Sequence, residues 1–464
     1  MVPRSRLIWL AALMIAPFAG LGATAPEIVL LSGVLVVAAA VLVLVDGILG
    51  IGGLRGVGIE LPGVVRMLKD RQGVISVRMK NESQKPRQIR LGLPLPQEIR
   101  SPEESRLAVL LPGSECSRLS WVCTAARRGR YRLGRCHLEG TSPMGFWAVR
   151  SQAAADTEIR VYPNLFPERK LLAPLFLQHG PAGAHAQRQL GRGRDFEKLR
   201  HYSPGDSYDE IHWKATAKRR FPITKVFQME RTQEVYVIVD ASRLSTLTSP
   251  SPDRPPMENG DTRRSEGLNQ GPGPGAETTL ERFVTAALVL GLAAEQQGDL
   301  FGLMTFSDRV HGFLRARNGK GHYGACRDML YTLQPRVISP NFDDLCSFIG
   351  LKLRRRAMLV FLTSLDDPAL AEGFVRNVGV LCRRHLAVVG MLQPPGARPL
   401  FAAGDVASVD DLYRRLGGHF IAENLKELGG VLHRLGARFC LLENEKMSAQ
   451  LVAQYNDVKR RQLL

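Results

Sequence analysis

Two long uncharged apolar runs open the chain, Leu7 to Pro26 and Ile28 to Val45. At about 1.5 Å of rise per residue each can cross a hydrocarbon core of roughly 30 Å as a helix, the second if it continues past Asp46. Only Glu27 separates them, so the pattern predicts a transmembrane helical hairpin over residues 1–56 with a very short turn. The period then shortens. Runs such as Val74-Ile75-Ser76-Val77-Arg78-Met79 and Ile89-Arg90-Leu91-Gly92-Leu93 alternate apolar and polar positions between Pro and Gly breaks, and Ile159-Arg160-Val161-Tyr162-Pro163 closes the series. That predicts a small β-sandwich over residues 57–165. Residues 166–233 mix glycines, charges and aromatics with little periodicity, and read as an irregular docking segment in which Phe196, Tyr202 and Trp213 bury their rings against the next domain.

From Val235 strands alternate with helices. Val235 to Val239, Leu300 to Phe306, Ala357 to Thr363 and Leu386 to Leu392 are short, wholly apolar or nearly so, as buried parallel strands are. Helices are expected at Leu280–Gln296, with a capping box from Thr278 to Glu281, and at Tyr323–Leu333, Phe342–Leu353, Ala369–Arg384, Val409–Leu416 and Met447–Lys459. The fold class is therefore multidomain: a helical hairpin, a β-sandwich, then a Rossmann-like α/β domain over 234–464 with a parallel sheet covered on both faces. Thr246 to Glu277 interrupts that domain with six Pro and five Gly. It buries too little to offset ordering entropy and is expected to be a disordered insertion, leaving the sheet at its carboxyl edge.

Charge orients the hairpin. Arg4 and Arg6 precede the first run, and Arg55, Arg66, Lys69 and Arg71 follow the second, so the positive-inside rule puts both flanks, and the soluble part, in the cytoplasm. A rival reading takes the first run as a secretory signal with Ala23-Thr24-Ala25 as its cleavage site, and leaves the soluble part on the same side. The net charge of +18 divides into +14 over residues 1–230 and +4 over 231–464. A basic face on the membrane-proximal half suits anionic lipid of the inner membrane or an acidic protein partner. Nucleic acid is disfavoured, because the arginines at 127, 128, 130, 132 and 135 form a short cluster without a nucleic-acid-binding module. Seven cysteines without a C-x-x-C pair read as reduced core thiols.

The run Gly191-Arg192-Gly193-Arg194-Asp195-Phe196, then Leu199-Arg200, Tyr202, Pro204-Gly205-Asp206 and Ile211-His212-Trp213-Lys214-Ala215-Thr216-Ala217, resembles the signature of family 58 of the domains of unknown function. The order of two N-terminal spans, a β segment with Arg128-Gly129-Arg130-Tyr131 and Pro143-Met144-Gly145-Phe146, and a von Willebrand factor A-like C-terminal domain is similar too. Asp209 and His212 depart from the commonest family pattern, which has Arg and Asp there. The resemblance implies a bacterial inner-membrane protein that works with a MoxR-type AAA+ ATPase in maturing or assembling other proteins. Within the signature, Gly205, Asp206, Trp213, Lys214, Lys218 and Arg219 are the expected partner surface: acidic residues before an aromatic anchor, basic ones after it. A docking linker whose aromatics only pack is the competing explanation.

Von Willebrand A-like domains often hold a divalent cation through Asp-x-Ser-x-Ser, a Thr and a second Asp, because Mg²⁺ takes six oxygen ligands. Here Asp240 and Ser242 fit, Leu244 fills the third position with Ser245 one place out of register, and Asp366 or Asp367 is the nearest second carboxylate. A degenerate Mg²⁺ site of Asp240, Ser242 and Asp366 is one expectation, and a structural cap by Asp240 the other. Enzyme chemistry has little support: Gly191-Arg192-Gly193 is a fragment of a phosphate loop, and Ser242 lacks a nucleophile-elbow setting. The expectation is a non-catalytic interaction protein, with a metal-dependent hydrolase or adhesion-type module using Asp240 and Asp366 as the alternative. Oligomeric state is not legible.

Overall fold

The computed structural model describes residues 1–24, 29–83, 86–113, 116–168, 190–203, 208–228, 233–249, 277–400 and 408–461, in two compact units, Met1–Asn164 and Leu165–Leu464.

In the first unit, strand β1 (Val2–Pro3) leads into helices α1 (Ser5–Thr24) and α2 (Val29–Gly50). Helix α2 is long and apolar enough to cross a membrane: Gly33–Gly50 has mean hydropathy 2.5 and only 11% of that window is buried. Among the described residues the further elements of this unit are strands: β2 (Val57–Glu60), β3 (Val64–Leu68), β4 (Gln72–Asn81), β5 (Arg87–Gly92), β6 (Ile99–Arg100), β7 (Arg106–Leu110), β8 (Cys116–Ala125), β9 (Gly129–Thr141) and β10 (Trp147–Tyr162). One sheet runs β1-β10-β9-β5-β7 with β3 parallel to β10, and a second runs β2-β4-β8-β6. Alternation decides which side chains go inward. Ile75, Val77 and Met79 of β4 are buried while Arg78 and Lys80 face out, and they join Trp121 of β8, Ile89 and Leu91 of β5, and Ile159 and Val161 of β10 in a single core.

In the second unit, strands β11 (Leu190–His201) and β12 (Ile223–Gln228) form a two-stranded antiparallel ribbon around the short helix α3 (Trp213–Arg219). This corrects the expectation of an irregular segment. The main sheet has six strands, β13 (Glu234–Asp240), β16 (Leu300–Phe306), β17 (Val310–Arg317), β18 (Met358–Leu362), β19 (Leu386–Leu392) and β20 (Arg438–Leu442), in the order β17-β16-β13-β18-β19-β20. All neighbours are parallel except β17, which turns back antiparallel on β16. Strand β13 is buried on both faces. Val235, Val237 and Val239 pack on one side with α4 (Thr279–Gln296), α5 (Lys320–Leu330) and α9 (Met447–Arg460). Tyr236 and Ile238 pack on the other with α6 (Phe342–Lys352), α7 (Pro368–Cys382) and α8 (Val409–Arg434).

The capping box is present at its first half, the Glu281 amide donating to Thr278 Oγ1 at 3.4 Å. Helix α8 ends at Arg434, about five turns past the expected end at Leu416. Gly417-Gly418 reads as a breaker, but Gly418 lies against the Gly396 backbone with no room for a Cβ, so tertiary packing keeps the helix going. Residues 250–276 of the expected disordered insertion lie outside the described residues. Its ends are joined by a short ladder of β14 (Thr248–Ser249) and β15 (Glu277–Thr278), with Ser249 opposite Glu277.

Candidate functional site

The signature segment presents its side chains from α3 and the turns on either side. His212 caps the helix: its Nδ1 accepts from the Ala215 amide at 3.0 Å, so Nδ1 is the unprotonated ring nitrogen. His212 is thus the N-cap of α3, with a ring nitrogen in place of the usual side-chain oxygen acceptor. At the other end Arg220 takes the left-handed conformation, φ 61°, and its amide closes the helix on the Thr216 carbonyl. The Thr216 hydroxyl in turn accepts from the Ile223 amide at 3.0 Å, tying α3 to the start of β12. Ile211 and Ile223 are buried beneath.

Outward, the picture differs from the expectation that Trp213 is buried. Trp213 is 67% exposed and Tyr208 75%. Only seven residues long, α3 has no buried side chain of its own, so the indole has no core to enter. Phe221 stacks on His201 with centroids 4.4 Å apart, and Tyr202 lies 6.4 Å from Tyr208. Lys214, Lys218, Arg219 and Arg220 are exposed, without an ion pair among the described residues. Gly205 and Asp206 of the expected partner surface lie outside the described residues, as does the side chain of Phe196.

The second candidate lies at the carboxyl edge of the main sheet. Asp240, opposite Phe306 of β16, is fully buried. Its Oδ1 accepts from the Ser242 amide at 2.8 Å and its Oδ2 from the Thr363 hydroxyl at 2.5 Å. Burial pushes the Asp240 carboxyl above its ordinary range, opposed by the hydrogen bonds from Thr363 and Ser242. Ser242 Oγ accepts from the Leu244 amide, and Ser245 Oγ donates to the Ser242 carbonyl at 2.8 Å. Asp366 is exposed, and Asp367 caps α7, accepting from the Ala369 amide at 3.0 Å. No group of three or more His, Cys, Asp or Glu poised to hold a metal occurs among the described residues. In the Asp-x-Ser-x-Ser register, a carboxylate with both oxygens engaged, the Ser242 hydroxyl and the aliphatic Leu244 do not make an octahedral oxygen set, and the Thr363 and Ser245 hydroxyls are spent on Asp240 and the Ser242 carbonyl.

A neighbouring cluster escaped sequence reasoning. Ser307 Oγ, buried after β16, lies 2.7 Å from both His311 Nε2 and an oxygen of Asp308. The same Asp308 oxygen is 3.1 Å from the same Nε2. Ser307 and then His311 hold the Asp308 carboxyl below its ordinary value. With the carboxylate and the hydroxyl on one ring nitrogen there is no relay through the imidazole; the trio locks the β16–β17 turn. The Ser-Asp-x-x-His spacing is its only sequence signal.

No curated protein matches the chain. Among solved structures, the ASH / PapD-like domain of human CEP192 (PapD-like domain 7) is 12% identical over 24% of this chain and 87% of its own, at a TM-score of 0.18. The SpRpn10 VWA domain is 11% identical over 48% of this chain and 95% of its own, at a TM-score of 0.26. Both scores are low, and the topology rests on the strand registers above. Residues 198–254 and 270–412 match the model of the family described as protein of unknown function DUF58, a span that takes in α3 and most of the six-stranded sheet.

Proposed function

We propose that this chain is a membrane-anchored, non-catalytic interaction protein that offers the α3 surface to an acidic partner, the MoxR-type AAA+ ATPase being the one the family resemblance implies. The carrying observation is the exposed indole of Trp213 set among Lys214, Lys218 and Arg219. A large exposed aromatic is costly to leave in water, and beside cations that have no ion pair among the described residues it is useful at an interface, where the ring supplies affinity and the charges orientation and rate. In this reading α1 and α2 are two spans with both flanks cytoplasmic in a bacterial inner membrane, residues 57–165 are a β-sandwich, and the six-stranded sheet is a von Willebrand A-like domain. One core shared by two sheets and the parallel order of the main sheet support the last two. Asp240 acts as a structural cap for the β13 end, a role its two accepted hydrogen bonds support.

Trp213→Ala tests the reading. The ring's exposure leaves roughly 80 Å² of it buried, an upper limit of about 2 kcal/mol of stability at ~25 cal/mol per Å². Capture of the ATPase from detergent-solubilised membranes under ATP-trapping conditions should fall at least about tenfold while the thermal midpoint shifts little. Undiminished capture by a folded variant would refute the surface.

A further inference from the structure

Asp46 is a carboxylate inside the apolar window of α2, and it is completely buried. Its partners come from the turn between β9 and β10. Oδ2 accepts from the Ser142 hydroxyl at 2.6 Å and the Phe146 amide at 3.2 Å, and Oδ1 from the Met144 amide at 2.8 Å. Trp147 Nε1 donates to the Val43 carbonyl at 3.0 Å, one helical turn nearer the middle of the window. The indole lies against Gly47, and Ser142 against Gly50, where a Cβ would approach within 3.3 Å and 3.2 Å. Gly145, at φ +84°, lets the turn fold back over this contact. The N-terminus closes the other side: β1 pairs with Trp147 and Ala148, the Arg4 amide donates to the Phe146 carbonyl at 2.9 Å, and the Arg4 guanidinium donates to Thr141 Oγ1 at 3.0 Å.

We infer that the turn Ser142–Trp147 is a wedge seated in the lipid bilayer at the headgroup–acyl boundary, with the membrane itself as its binding partner. The inference rests on the reading that α2 spans the bilayer. Asp46 precedes Gly50 by four residues, about 6 Å of helix rise, so a window that ends at the interface carries this carboxylate below it. A carboxylate at that depth persists only with protein partners, and a turn that supplies three hydrogen bonds to it sits at the same depth. The turn's composition agrees. Pro143 and Met144 are exposed, Phe146 and Trp147 are half-buried, and Arg4 and Arg6 flank them at the end where phosphates lie, the arrangement of an interfacial aromatic belt with basic anchors.

Cysteine accessibility in the full chain, reconstituted in lipid nanodiscs, tests the wedge. The exposed native thiol is removed by Cys116→Ser, and single cysteines are placed by Met144→Cys, Leu107→Cys and Val37→Cys, at side chains 51%, 59% and 61% exposed in the protein alone. A membrane-impermeant anionic maleimide should label the Leu107→Cys protein rapidly and the Val37→Cys protein hardly at all. Met144→Cys should react at least about tenfold more slowly than Leu107→Cys, although Arg4 and Arg6 attract the reagent. Equal rates at Met144→Cys and Leu107→Cys, with Val37→Cys protected, would overturn the wedge alone. Rapid labelling at Val37→Cys would overturn the span and the wedge with it.

Discussion

Replacing Asp240 by Asn separates a structural cap from a cation ligand. The carboxamide keeps the acceptor for the Ser242 amide, and the Thr363 hydroxyl can turn to accept from the new NH₂ group instead of donating to Oδ2. What disappears is a buried negative charge with no cation beside it among the described residues. The folded-state pKa of Asp240 is raised, so its linkage contribution to stability is full below the unfolded value and is lost as pH rises through the folded one. At neutral pH the Asp240→Asn protein should therefore lie between no change and a gain of about 2 kcal/mol, and the gain should vanish at pH below the ordinary carboxylate range. Asp240→Ala instead leaves the Ser242 amide and the Thr363 hydroxyl without this acceptor in a buried site, at about 1–3 kcal/mol for each group. Denaturant unfolding of wild type and both variants, with and without millimolar Mg²⁺, reads the difference. The cap account fails if Asp240→Asn loses more than about 2 kcal/mol, or if Mg²⁺ stabilises wild type and not the Asp240→Asn protein.

Two further expectations concern folding. Because Ser249 and Glu277 are direct partners in the β14–β15 ladder, neighbouring strands about 4.8 Å apart can be joined by two residues, and replacing residues 250–276 with Asn-Gly should leave the thermal midpoint nearly unchanged; a drop of many degrees would show that the segment contributes to the core. His385 is buried, with neither ring nitrogen hydrogen-bonded among the described residues, and burial first, then Arg384 and Arg356, depress its pKa. A depressed folded-state pKa means full stability above the ordinary histidine value near 6.5 and loss as pH falls below it. Unfolding midpoints should decline from about pH 6.5 downward in wild type and less so in His385→Phe, and identical pH profiles would remove His385 from the account.

The main sheet is legible in the sequence because strands buried on both faces appear as uninterrupted apolar runs, and β13, β16, β18 and β19 all do. Strand β17 is not: at the edge, Val310-His311-Gly312-Phe313-Leu314 is half-buried and mixed in polarity, and such a strand has no clean period. The ribbon of β11 and β12 pairs His201 with Ile223 across an intervening helix and shifts register twice, so neither period nor turn chemistry announces it. The partners of Asp46 lie 96 to 100 residues away, and only the charge itself shows in the sequence. Trp213 reads as buried because an indole usually signals burial, and whether a core lies beneath it is a tertiary fact. His212 is a further case: a histidine beside carboxylates in a polar loop gives no cap signal in the sequence, and the fold uses its ring nitrogen as the N-cap of α3.

Recognition of an acidic partner by the charge of the α3 surface is tested most directly by the salt dependence of ATPase capture, measured for wild type and for the Lys214→Glu/Arg219→Glu double variant. Both side chains are exposed, so the reversal should cost under about 1 kcal/mol of stability. Wild-type capture should weaken steadily with ionic strength, while the double variant should bind weakly at low salt and respond little to added salt. Equal capture by the two proteins, with the same salt slope, would contradict the account.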